Sequence, residues 1–236
     1  ISQALPGKDF AVDVATGTGI VAEPLSSMFT KVVGVDVSES QLSIARNKYK
    51  NTPNLEFKVA NAQELEKTFP ENSVDLITVA SAFHWFSDYQ QFFKSSSIVL
   101  RPGGAIAIMG YNLMTISNSE FHNELLQEFF RTIKPYFEYD IRLLEKEYSD
   151  YSFPFNHHEH HKYSEEAFTS LETLYYFLDS ISAYRCYKEK LEGTPNFRDP
   201  AEVLKEQIRK RNEEGKEVKV KTDYFIKILK DYNSNI

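Results

Sequence analysis

The chain is short of cysteine, tryptophan and methionine: its 236 residues include one Cys, one Trp and three Met. A single thiol, Cys186, excludes a disulfide within the chain, and a reducing setting such as the cytoplasm is expected. No apolar run approaches the roughly 20 residues of a membrane-spanning helix, so no such helix is expected. Basic residues are outnumbered, 27 Lys and Arg against 34 Asp and Glu, for a formal net charge of −7. A protein whose main task is gripping nucleic-acid phosphate would carry the opposite balance. Glycine and proline are also sparse, nine of each, and no repeat or low-complexity linker interrupts the sequence. What is present is a 42% hydrophobic composition, enough for one substantial core.

Two of the glycines stand where they matter most. Phe10-Ala-Val-Asp-Val-Ala-Thr-Gly-Thr-Gly19 reads as a buried strand containing Asp13 and opening into a turn at Gly17 and Gly19. A second apolar strand, Lys31 to Asp36, follows and ends on an acid. A strand, a glycine loop, a helix and a strand ending in an acid make a unit that holds nucleoside cofactors. Asp36 can accept hydrogen bonds from both hydroxyls of a ribose.

Two cofactors fit this unit. Gly17-Thr-Gly19-Ile-Val-Ala22 matches the dinucleotide fingerprint with Ala in its third position, and Asp36 lies roughly 20 residues on. Asp13 argues the other way. A strand buried on both faces is normally apolar up to its first glycine, and a buried carboxylate needs a partner. A cofactor with a cationic amino-acid end supplies one.

Val12-Asp-Val-Ala-Thr-Gly-Thr-Gly19 resembles the first motif of class I S-adenosylmethionine-dependent methyltransferases, D/E-x-G-x-G-x-G, with Ala15 at the first glycine. A methyl at that position is compatible with a negative φ. Downstream, Asn54 to Ala62 reads as a third strand ending in the pair Asn61-Ala62, and Ser73 to Ala80 as a fourth. Leu100-Arg-Pro-Gly-Gly feeds a fifth, ending near Met109. The order and spacing of these elements resemble the methyltransferase core. The resemblance implies a Rossmann-like α/β fold: a mostly parallel seven-stranded sheet, helices on both faces and an antiparallel last strand. It implies S-adenosylmethionine as cofactor. The anchor of its methionine ammonium would be Asp13, and the cradle Ala15, Gly17 and Gly19. Asp36 would take the ribose, Val37 would border adenine, Asn61 and Ala62 would meet its polar edge, and Ala80 would face the methionine part.

The acceptor implied is a small molecule, and no Asn-Pro-Pro-Tyr-like loop for stacking a flipped base is present. His-Trp-Phe at 84–86 and Ser-Ala-Tyr at 182–184 resemble the trans-aconitate-methyltransferase-like group, which implies a carboxylic acid and O-methylation. His84 is the candidate base beyond the fourth strand, and Trp85 a candidate wall of the acceptor site. A cofactor-binding module without catalysis is the alternative from another class. His157-His-Glu-His-His161 could bind zinc in principle, but neighbouring histidines diverge and a solvated loop is the expectation, with no metal.

Residues 1–236 are read as one domain: a cofactor core at 1–110, a substrate-covering insertion at 111–163 and returning core at 164–236. The resembling family places helices ahead of its first strand, so a fragment is expected here. Ser38-Glu-Ser-Gln41 and Ser117-Asn-Ser-Glu120 read as capping boxes, and Ser170 as a helix cap. Asp199-Pro200 should open a helix reaching Glu214. Glu165–Thr169 should form a sixth strand and Glu217–Thr222 a seventh, with Asp223 onward a closing helix or a continuation of that strand. The sequence leaves the oligomeric state open.

Overall fold

The computed structural model describes residues 5–195, 197–213 and 215–235. Residues 1–4 and Glu214, the expected end of the Asp199 helix, lie outside them. The chain divides into two compact units, Ile1–Gly110 with Glu147–Lys162 and Phe225–Ile236, and Tyr111–Lys146 with Tyr163–Tyr224.

The first unit is built on five apolar strands: β1 (Phe10–Val14), β2 (Lys31–Asp36), β3 (Leu55–Val59), β4 (Val74–Ala80) and β5 (Leu100–Tyr111). They pair in parallel in the order β3-β2-β1-β4-β5, so the strand order reverses between β1 and β4. A crevice opens beyond the carboxyl ends of strands at such a reversal. Both alternating residue sets of β1 are buried, Ala11 and Asp13 on one side and Val12 and Val14 on the other. Both faces must therefore be covered, and continuous apolar runs are the consequence. Helices α1 (Ala22–Ser26) and α2 (Glu39–Lys48) set Leu25, Leu42 and Ala45 against Val32, Phe57 and Leu76. Helix α3 (Tyr89–Val99) buries Phe92, Phe93 and Val99.

Capping fixes where these helices start. Ser38 Oγ accepts from the Gln41 N–H at 3.4 Å, as expected, and Asp88 accepts from Gln91 at 2.9 Å. At the opposite end of the sheet Asp75, fully buried, accepts from the N–H groups of Asp9 and Phe10, each at 2.9 Å, and pairs with Arg101 at 3.0 Å. That carboxylate ties the entry of β1 to β4 and β5.

In the second unit β6 (Thr115–Ile116) pairs antiparallel with β8 (Glu217–Tyr232). Helices α4 (Glu120–Ile133), α5 (Arg142–Glu145), α6 (Leu171–Ser180), α7 (Ser182–Leu191) and α8 (Pro200–Lys210) follow in chain order. Their apolar stripes meet in a core that includes Phe129, Phe130, Leu174, Tyr184 and Leu204. The cap of α4 is Ser119, accepting from His122, and not Ser117, whose hydroxyl donates to the Lys219 carbonyl at 3.2 Å. Ser170 caps α6 and Asp199 caps α8 as expected.

Two differences concern the late strands. β7 (Phe155–Ser170) extends well ahead of Glu165 and absorbs the histidine cluster, so that stretch is a strand and not a loop. His157, His160 and His161 there meet Asp231, Glu147 and Glu159. Among the described residues no group of three His, Cys, Asp or Glu is placed to hold a metal ion. Asp223 onward continues β8, one of the two forms expected, and the described residues form eight strands where seven were expected. No helix of the described residues is long and apolar enough to cross a membrane.

Candidate functional site

A cavity of about 660 Å³ opens in the first unit at the carboxyl ends of its strands. Eight of the residues singled out from the sequence line it: Ala15 and Gly17, Asp36 and Val37, Asn61 and Ala62, then Ala80 and Trp85. Asp13, Gly19 and His84 are not in its lining.

Asp36 is the best-anchored polar group of the wall. Its Oδ2 accepts from the Gly17 N–H and its Oδ1 from the Ser38 N–H, both at 2.9 Å. Each carboxylate oxygen can accept twice, so the side chain is oriented by backbone and keeps acceptor capacity. The bond to Gly17 also fastens the glycine loop to the tip of β2. Gly17 has φ +56, and a Cβ built on it would meet nothing within 4 Å, so its backbone borders open space. Gly19 plays another part. At φ +82 a Cβ there would come within 2.7 Å of the Phe57 ring, so only glycine lets the turn pack on β3.

Ala15 does not meet the condition under which a methyl there is free of strain. Its φ is +54, the left-handed region, and not the negative value a methyl prefers. The turn geometry demands the conformation that glycine takes without strain, and alanine adopts it at a cost of about 1–2 kcal/mol. Ser81, at the end of β4 and also on the cavity wall, has φ +50. Two non-glycine residues thus hold strained backbone on the rim.

Behind the loop, Asp13 is 1% exposed. Its oxygens accept from the hydroxyls of Thr16 at 2.5 Å and Thr78 at 2.6 Å. Thr78 is its direct partner in the β1–β4 register. Burial pushes the Asp13 pKa up to about 6, against the opposing pull of the two threonines. Asn61 sits just past β3 and accepts from the Gln63 N–H at 2.9 Å, capping the 3-10 turn Ala62–Lys67. Its Oδ1 is thus partly used locally.

His84 lies in the 3-10 turn Phe83–Trp85, half-buried, with Nδ1 2.8 Å from the Tyr148 hydroxyl. Burial lowers its pKa to about 4, so the ring is neutral at neutral pH. Trp85 is 50% exposed and its ring centroid lies 5.4 Å from that of His84. Tyr184 of the Ser-Ala-Tyr stretch does different work: its hydroxyl donates to Asp199 at 2.7 Å and so braces the start of α8.

Comparison with known proteins bears directly on this cavity. Residues 12–108, which span β1 to β5, match the family model described as a methyltransferase domain. This stretch, less than half of the chain, is similar to methyltransferase domains. A Dictyostelium discoideum protein named as a methyltransferase is 37% identical over 112 residues, 48% of this chain and 40% of that protein. A demethylmenaquinone methyltransferase of Thermus thermophilus is 34% identical over 102 residues, 42% of this chain and 46% of that one. The matched stretch therefore spans less than half the length of these curated relatives. A solved structure of a type II methyltransferase from Anaeromyxobacter dehalogenans superposes with a TM-score of 0.82 at 21% identity, covering 98% of this chain and 94% of that one. The fold is the Rossmann-like methyltransferase fold.

Several wall residues of the cavity were not picked out from the sequence as candidate site residues. Gln41, Gln63, Ser81, Phe86 and Ser87 are part of the lining. Gln63 donates through Nε2 to the Asp88 carbonyl at 3.0 Å and accepts from Ser87 at 3.3 Å, which binds two wall segments together. Thr78 could have been found, since a threonine among the apolar residues of a central strand needs a polar partner.

Two outcomes follow from the strained alanine and the buried acid. Ala15→Gly should raise stability by about 1 kcal/mol, the relief of strain exceeding the added freedom of the unfolded chain. A midpoint in urea equal to or below that of the unsubstituted protein would contradict the strain. For Asp13, the unfolded pKa of 3.8 lies below the folded value of about 6, so the folded state binds the extra proton between them. Its contribution to stability therefore falls as pH rises through that window, by roughly 3 kcal/mol, and is flat above it. Subtracting the Asp13→Asn stability profile from that of the unsubstituted protein should reveal this step between pH 4 and 6. Parallel profiles would refute it.

Proposed function

We propose that the whole chain is an S-adenosylmethionine-dependent methyltransferase of a small-molecule acceptor, and that the cavity bordered by Asp36 is its cofactor site. The observation that carries this reading is the Asp36 carboxylate, held by two backbone N–H groups at the cavity wall with acceptor capacity left over. Ribose hydroxyls are the donors it suits. Val37, 71% exposed, offers an apolar edge to adenine. Asn61 presents its amide nitrogen to a ring nitrogen of the same base, with Ala62 leaving room beside it. The backbone of Ala15, Gly17 and Ala80 borders the methionine part, and Gly19 shapes the turn from behind. Asp13 acts on the ammonium through the loop, since it is largely ionised at pH 7.

When bound, the cofactor supplies an electrophilic methyl group on a sulfonium. The protein's task is then to align the acceptor and exclude water. Trp85 and Phe86 give the cavity flat apolar walls suited to a ring-bearing acceptor. The Thermus relative, named for demethylmenaquinone, supports a ring-bearing small molecule over a compact polyacid. Carboxylate O-methylation of the trans-aconitate kind would call for a cation, and no Lys or Arg is among the described residues lining the cavity. His84, with a pKa of about 4, is a weak proton acceptor at neutral pH. Its bond to Tyr148 suits it to fixing the turn that presents Trp85. A cytoplasmic setting rests on the single thiol alone.

Calorimetric titration with S-adenosylhomocysteine tests the reading. The unsubstituted protein should bind one equivalent, and Asp36→Ala should weaken binding about 100-fold, the loss of two charge-assisted hydrogen bonds. Asp36→Asn serves if the alanine variant does not fold. Equal affinity in the variants would overturn the site. Labelled methyl transfer should favour naphthoquinol acceptors over carboxylic acids, and binding without transfer to any acceptor would mark a non-catalytic module.

A further inference from the structure

The chain enters the segment Glu147–Lys162 of the first unit through two consecutive residues in the left-handed region, Glu147 at φ +53 and Tyr148 at φ +58. Neither is glycine, so both hold strained backbone. The turn sends the two side chains to different places. The Glu147 carboxylate meets His160 Nε2 at 2.8 Å and Lys162 Nζ at 2.7 Å on β7. Tyr148 goes inward and is fully buried, its ring centroid 5.4 Å from that of Phe83 and 5.4 Å from that of Phe225. Its hydroxyl ends 2.8 Å from Nδ1 of His84.

That contact leads to the wall of the cavity bordered by Asp36. Phe83, His84 and Trp85 are the three residues of one 3-10 turn. Phe83 is fully buried and packs on Phe93, Tyr151 and Phe153, which roots the turn in the core. Trp85, at the other end of the turn, lines the cavity. His84 stands between them, with Nδ1 at the Tyr148 hydroxyl and its ring centroid 5.4 Å from that of the Trp85 indole. Burial keeps the imidazole neutral at neutral pH, so the bond joins two uncharged groups and persists through that range. A phenylalanine at position 148 would fill the same place among the rings. What the hydroxyl adds is a tie to the imidazole.

We propose that Tyr148 is a positioning residue of the cavity: through His84 it sets the orientation of Trp85 against the methyl acceptor. Strain at Glu147 and Tyr148 is tolerated because the turn delivers the hydroxyl to the imidazole. The effect on the acceptor rests on the methyltransferase reading of the cavity; the tether itself does not.

Trp85 is the one tryptophan of the chain, so its fluorescence anisotropy decay reports that orientation directly. Removing a buried hydrogen bond shifts a conformational equilibrium about fivefold. In ligand-free Tyr148→Phe the amplitude of fast Trp85 motion should rise by that factor. The KM for a naphthoquinol acceptor should also rise about fivefold, while calorimetric affinity for S-adenosylhomocysteine stays as it was. General loosening of the fold would weaken both ligands together, and that result, or an unchanged Trp85 decay, would overturn the proposal. His84→Leu cuts the tether from the other side and serves if Tyr148→Phe does not fold. His84→Asn keeps a polar atom near the Nδ1 position and should restore the slow decay; a decay like that of His84→Leu would equally overturn the tether. Absence of S-adenosylhomocysteine binding or of methyl transfer in the unsubstituted protein would count against the methyltransferase reading, and the Trp85 decay would still decide the tether.

Discussion

Gly17 and Ser38 each send a backbone N–H to the carboxylate of Asp36, and much of the first unit is organised by that meeting. The loop after β1 and the cap before α2 are thereby fastened to one side chain at the tip of β2. A carboxylate held in this way needs no rotamer ordering when a ligand arrives, which is the condition for a preorganised recognition group. Behind the same loop, Asp13 is locked between Thr16 and Thr78 across the β1–β4 pair. The glycine loop is therefore gripped by an acid on each side, one reaching the cavity wall and one buried beneath it. Strain at Ala15 and Ser81 is what remains when this arrangement is built with side chains the turns do not prefer.

The two units use different physics. In the first, strands buried on both faces make continuous apolar runs, and polar residues inside them carry structural or recognition roles: Asp13 and Thr78 brace the loop, and Asp75 ties the strand entries. In the second, amphipathic helices meet in an aromatic core and polar tips serve as ties. Tyr184 on Asp199 is such a tie.

Strands β1 to β5 were legible because burial on both faces writes most of them as apolar runs with an acid or a small residue at the end. In β2 every residue from Val32 to Val35 is buried, so the run itself marks the strand without any alternation. β7 was not legible beyond its last residues. Nearly all of its side chains are exposed, so no hydrophobic alternation marks it, and its histidines find acids that only the fold brings near. The φ of Ala15 was not legible, because the residue type argues for one region while the loop imposes another. Tyr148 as the partner of His84 was invisible too, since 64 residues separate them. Asp36 itself was readable as an acid at a strand end, but its bond to Gly17 is a property of folded space.

Where an adenosyl ligand sits is the decisive observation for this site. A crystal structure with S-adenosylhomocysteine should place both ribose hydroxyls on the Asp36 carboxylate, with adenine beside Val37 and the amino-acid end along the backbone of Gly17. Electron density for the ligand elsewhere on the protein, with Asp36 bonded only to Gly17 and Ser38, would contradict it.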